Sequence, residues 1–106
     1  LSNYYNYSEG KACRMTGRLI DEETDQPIKG GVVLGWGEHW VHSYHTITKE
    51  DGSFEVLGVH PFHHWIATAT LYTAIRDDIS PDTAKAGKDN IPTLNLGTLK
   101  VKKLDL

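Results

Sequence analysis

The residues of this 106-residue chain best suited to chemistry are its six histidines, which fall into two groups: His39, His42 and His45, then His60, His63 and His64. A zinc centre needs three or four such ligands converging at about 2.0–2.3 Å. Side chains alternate across a strand, so His39 and His45 would share a face while His42 points away. Convergence would need a bend, for which Gly35 and Gly37 offer material, or a meeting of the three later histidines within one loop. The spacing therefore favours histidines that hydrogen-bond locally or face solvent. No metal and no cofactor is expected, while a pH-dependent role stays open because imidazole titrates near neutrality.

A second set is aromatic. Trp36, Trp40 and Tyr44 have even spacing, and on one continuous strand they would line a single face. A row of exposed aromatics with polar tips suits the apolar faces of sugar rings or a wet protein interface. Trp36, Trp40 and Tyr44 are therefore the predicted ligand-binding residues, with carbohydrate as the candidate ligand.

Other chemistry lacks its parts. General acid–base work needs carboxylates held apart in a cleft with shifted pKa values. Here Asp21, Glu22, Glu23 and Asp25 crowd into one turn, which reads as a solvated loop. Ser43 has no elbow glycines around it, and the Gly30-Gly31 and Gly35/Gly37 pairs lack phosphate-loop spacing. Cys13 is the single cysteine, which excludes an intramolecular disulfide. It lies in an alternating segment and reads as a small core residue. No catalytic residues are predicted, and the chain is not expected to be an enzyme.

These side chains must be carried by strands. Cys13, Met15, Gly17 and Leu19 alternate with Arg14, Thr16 and Arg18, the signature of a strand with one buried face. Gly30-Gly31 opens a short apolar strand at Val32–Leu34, and residues 36–48 hold one or two more. Asp51-Gly52 predicts a tight hairpin before Phe54 and Val56, because Gly tolerates the positive φ such turns need. Pro61 ends that strand, and alternation over 64–75 predicts the longest one. Ser80 to Ala86 could form a helical turn. Leu94–Leu96 and Leu99–Val101 alternate out of phase, which predicts a β-bulge at Gly97-Thr98.

The result is an all-β fold, an antiparallel Greek-key sandwich of about seven strands. Residues 1–11 read as a linker or arm, and 12–106 as one domain. The predicted core is Met15, Leu19, Val33, Phe54, Val56, Trp65, Ala67, Ala69, Leu71, Leu96, Leu99 and Val101.

Net charge is −3, from 11 basic and 14 acidic residues, with no basic block to meet nucleic acid. No apolar run approaches membrane-spanning length, so insertion by this chain is not expected. The chain starts at Leu1 rather than Met, which suggests a piece of a longer protein or a processed chain.

The order of these signals resembles the carboxypeptidase regulatory-like domains, which have a transthyretin (prealbumin-like) sandwich. The resemblance rests on Gly17-Arg18-Leu19-Ile20-Asp21, Gln26-Pro27-Ile28-Lys29-Gly30-Gly31-Val32-Val33, Asp51-Gly52-Ser53-Phe54-Glu55-Val56 and Leu96-Gly97-Thr98-Leu99. It spans roughly residues 12–103. It departs at His60-Pro61-Phe62-His63-His64-Trp65, where the family has Pro-Gly and an aromatic, and in the aromatic insert Gly35–His42. The resemblance implies a non-catalytic accessory or structural domain of a larger exported or membrane-associated protein, such as one beside a peptidase, in an extracytoplasmic setting. Its partners would be the other domains of that protein. The alternative expectation is a carbohydrate- or protein-binding module that uses the aromatic patch.

Overall fold

A computed structural model of the protein describes residues 12–38, 42–87 and 89–106. The expected N-terminal arm, together with His39 and Trp40, lies outside the described residues.

Among the described residues, eight strands form two four-stranded sheets that face each other. The strands are β1 (Cys13–Asp21), β2 (Val32–Trp36), β3 (Ser43–Ile47), β4 (Ser53–Gly58), β5 (His64–Thr68), β6 (Ile75–Asp78), β7 (Lys85–Ala86) and β8 (Pro92–Val101). One sheet has the order β4-β1-β8-β7 and the other β3-β2-β5-β6. The expected all-β sandwich is thus what the chain forms. Its neighbouring strands are antiparallel except β1 and β8, which run parallel.

Alternation builds the core as expected. Met15, Leu19, Val33, Phe54, Val56, Trp65, Ala67 and Val101 are buried between the sheets. Ala69, Leu96 and Leu99 pack against them from partly buried positions. Five buried apolar residues were not in the expected set: Ile20, Ile28, Trp36, Phe62 and Leu94.

The bulge lies where the phase of β8 changes. Thr16 pairs with Asn95 but Arg18 pairs with Thr98, so Gly17 on β1 faces two residues of β8. Gly97 takes φ 73°, which glycine reaches without the clash a side chain brings. A 3₁₀ turn at Pro81–Thr83 matches the expected helical turn.

Two connections differ from expectation. Asp51-Gly52 does make a tight turn, with Gly52 N–H donating to the Lys49 carbonyl at 2.8 Å and Lys49 N–H to the Ser53 carbonyl at 2.9 Å. However, β3 and β4 belong to different sheets, so the turn arches between layers and closes no hairpin. The strand expected over 64–75 is broken into β5 and β6. Leu71 sits at φ 71° and is 49% exposed, so it leaves the core. The break is held by contacts distant in sequence: Leu104 N–H donates to the Leu71 carbonyl and Thr73 N–H to the Lys102 carbonyl, each at 2.8 Å.

Candidate functional site

The pairing register gathers the chemistry-bearing side chains at one end of the sandwich. Cys13 stands opposite Gly58, Trp36 opposite both Ser43 and His64, and His64 opposite Asp78. His42, just before β3, and His60, between β4 and β5, meet here.

The predicted aromatic patch does not assemble. Gly35 pairs with Tyr44 while Trp36 pairs with Ser43, so Trp36 and Tyr44 lie on opposite faces of one sheet. Trp36 is buried at 6% exposure and stacks on His64 at 5.5 Å. Tyr44 turns inward, edge-on to Phe62 with ring centroids 6.0 Å apart. Even spacing aligns side chains only along one unbroken strand, and β2 ends at Trp36 before β3 begins at Ser43. Trp40 lies outside the described residues.

The histidines divide. His45 is exposed on the outer face of its sheet, opposite Leu34. His64 Nδ1 meets the Asp78 carboxylate at 2.6 Å. His42 and His60 stack face to face at 3.6 Å and 7°, and Tyr44 Oη lies 2.6 Å from His60 Nδ1. Burial and the neighbouring His42 push the His60 pKa below its ordinary 6.5. Among the described residues, no group of three or more His, Cys, Asp or Glu side chains is arranged to hold a metal ion. Ser43, His64 and Asp78 share one cross-strand row, but Trp36 stands between Ser43 and His64. Two strand spacings, roughly 9–10 Å, separate that serine from that imidazole, beyond hydrogen-bond reach.

Cys13 is half-buried and its thiol donates to the His60 carbonyl. Burial pushes its pKa up to about 11, which keeps the thiol protonated. Asp21, in the acidic turn at the other end, is buried and accepts hydrogen bonds from Tyr72 Oη and from the amides of Glu23 and Thr24.

A different site is built on the outer face of the β4-β1-β8-β7 sheet. Because Met15, Val56 and Leu94 point inward, their neighbours point out. The register sets Glu55, Thr16 and Asn95 in one cross-strand row and Arg14, Thr93 and Lys85 in the next. These residues line a groove of about 610 Å³. Arg14 is held from both sides: its guanidinium donates to both carboxylate oxygens of Asp89 and lies 3.5 Å from Glu55. A further contact of 3.4 Å reaches Thr93 Oγ1. Only 16% of the Arg14 side chain is exposed. The hydrogen bond to Asp89 raises the Arg14 pKa and holds the Asp89 carboxyl below its usual range. A side chain at Gly87 would come within 3.1 Å of the guanidinium, so glycine leaves the space in which Arg14 and Asp89 meet. The outward row Arg14, Thr16 and Arg18 is legible in the sequence; the rows beside it depend on which strands become neighbours.

No family model matches the chain, and no curated protein matches it. Solved structures share its fold. The 3-chlorocatechol 1,2-dioxygenase of Rhodococcus opacus 1CP superposes over 92% of this chain and 62% of its own length, with a TM-score of 0.63 at 12% identity. The chlorocatechol 1,2-dioxygenase of Pseudomonas putida does so over 90% and 61%, with a TM-score of 0.55 at 12% identity. A 9R-lipoxygenase from Cyanothece PCC8801 matches 85% of this chain with 16% of its own, with a TM-score of 0.50 at 16% identity. The chain therefore spans less than two thirds of each of these proteins, and at such identity the likeness is one of fold.

These matches correct the functional expectation. These three proteins are enzymes, so the fold does not by itself mark a non-catalytic accessory or structural domain. The alternative, a module binding through an aromatic patch, fails on the placement of Trp36 and Tyr44.

Proposed function

We propose that this chain recognises a small, uncharged, hydroxyl-bearing molecule in the groove over Arg14, Thr16, Thr93 and Asn95. The observation that carries this reading is the fixed guanidinium of Arg14. Its partners Asp89 and Glu55 hold it in place in the free protein, so a ligand does not have to order it on binding. The groove lies within the size range of small-molecule sites, about 300–1,000 Å³.

The charges favour a neutral ligand. Arg14 and Lys85 stand against Glu55 and Asp89, and Arg14 is already engaged by both carboxylates. Little field remains to draw an ion. What the groove offers is a set of donors and acceptors at fixed spacing: the Thr16 hydroxyl, the Glu55 carboxylate and the Asn95 amide nitrogen, whose side-chain oxygen is held by the Gly97 N–H. Hydroxyl groups can meet both kinds at once.

Membership of the carboxypeptidase regulatory-like family belongs to the same proposal. It is supported by the sequence signals Gly17, Gly52 and Gly97: Gly17 and Gly97 lie at the bulge between β1 and β8, and Gly52 makes the tight turn.

Calorimetry against a panel of neutral saccharides and polyols tests the reading, with Asn95→Ala and Thr16→Val as variants. Binding that weakens about tenfold in either variant supports it; binding untouched by both, or found only for charged ligands, removes it.

A further inference from the structure

At the histidine end, the connection between β4 and β5 closes the sandwich. Phe62 is 1% exposed and seals this end. It fits because two glycines make room: a Cβ on Gly35 would lie 2.8 Å from the Phe62 ring, and one on Gly58 would lie 3.1 Å from it. Two positions before it, His60 is 8% exposed, lies flat against His42 at 3.6 Å and meets the Tyr44 hydroxyl through Nδ1. Just beyond, His63 is tied by its backbone, its N–H donating to the Trp36 carbonyl at 2.9 Å and its carbonyl accepting from Ile79 at 2.8 Å.

We propose that His42, Tyr44 and His60 form a proton-operated latch, and that protonation of His60 frees residues 59–62 and unseats Phe62 while His63 stays as the hinge.

The physical reasoning is local. In its neutral Nε2–H tautomer, His60 can accept the Tyr44 hydroxyl proton at Nδ1 while it stacks on a second imidazole. Protonated, it loses that acceptor and becomes a buried cation against the His42 ring. The titratable groups facing it are His42 from the segment before β3, Tyr44 from β3 and Cys13 from β1. On its own loop, His63 lies instead beside His64, with ring centroids 6.4 Å apart. Among the described residues no carboxylate pairs with His60 to hold a charge there. A buried base left without such a partner favours its neutral form.

The sign follows from linkage. A folded-state pKa below the ordinary 6.5 means that the opened segment binds the proton more tightly. The closed latch is complete above 6.5 and weakens as pH falls below it, until the folded value is passed.

Amide exchange of the full chain, read by NMR with histidine side-chain titration from about pH 7.5 to about pH 4.5, tests this. Exchange at His60 and Phe62, corrected for intrinsic rate, should rise by up to roughly tenfold per pH unit through the transition, while Met15, Val33 and Val56 keep their protection. His60→Gln, which stays neutral, should abolish the rise. Tyr44→Phe, which keeps the ring packing and removes the hydroxyl, should shift the His60 midpoint. The proposal is overturned if His60 titrates at or above its ordinary value, if opening is the same in His60→Gln, or if Tyr44→Phe leaves the midpoint in place. Should His60→Gln fail to fold, the Tyr44→Phe midpoint decides alone.

Discussion

The hydroxyl of Tyr72 donates a 2.7 Å hydrogen bond to the buried carboxylate of Asp21, across 51 positions of sequence. It fastens the turn between β5 and β6 to the end of β1, so it ties one sheet to the other. This bond is the main reason the Asp21 carboxyl is held below its usual range, with the amides of Thr24 and Glu23 adding to it. A carboxyl with a depressed folded pKa contributes stability above its ordinary 3.8, and loses it as pH falls through the folded value. Tyr72→Phe should therefore lower the melting temperature by roughly 4–8 °C or more at neutral pH, the lower part being the fall expected for the net loss of one ordinary hydrogen bond. The gap between variant and parent should narrow as Asp21 protonates in acid, and thermal melts at both ends of the range check this.

Phe62 and Leu71 should behave in opposite ways from what hydrophobic alternation implies. Phe62 comes from a loop rich in Pro and His, yet it is among the most deeply buried side chains. Phe62→Ala should cost about 3–5 kcal/mol. Leu71→Ala, at an exposed turn, should stay within about 0.5 kcal/mol. Urea unfolding of the two variants measures both.

Gly52 admits no side chain. Its φ is 80°, and a Cβ there would lie 2.4 Å from the Leu19 carbonyl oxygen, a backbone atom that also belongs to the core strand β1. Gly52→Ala should destabilise by about 3 kcal/mol or more, combining the strained conformation with the clash. A denaturant midpoint near that of the parent would contradict this view of the turn.

Cys13 should be slow to alkylate. Its pKa rises from 9.0 to about 11, so at mildly alkaline pH the thiolate is scarcer by roughly 100-fold than in the unfolded chain. Iodoacetamide labelling of native and urea-unfolded protein, followed by mass, gives the ratio.

What the sequence made legible was local. The alternation from Cys13 to Leu19, the tight turn at Gly52 and the bulge beside Gly97 are set by residues next to one another, and all three are where they were expected. What stayed hidden depends on residues far apart. Leu71 turns out of its strand because the C-terminal segment binds its backbone. Trp36 and Tyr44 part company because the chain reverses between them. The rows that make the groove exist only once β8 lies parallel to β1 and brings Thr93 and Asn95 beside Arg14 and Thr16.

The groove is the centre of the functional account, and its location can be read directly. An amide NMR spectrum of the isotope-labelled chain, titrated with the strongest neutral saccharide or polyol of the panel, is the measurement. The expected result is saturable shifts concentrated at Arg14, Thr16, Thr93 and Asn95, with the amides of β3 and β5 unmoved. Shifts confined to the histidine end, or no saturable shift with any neutral ligand, would contradict the account.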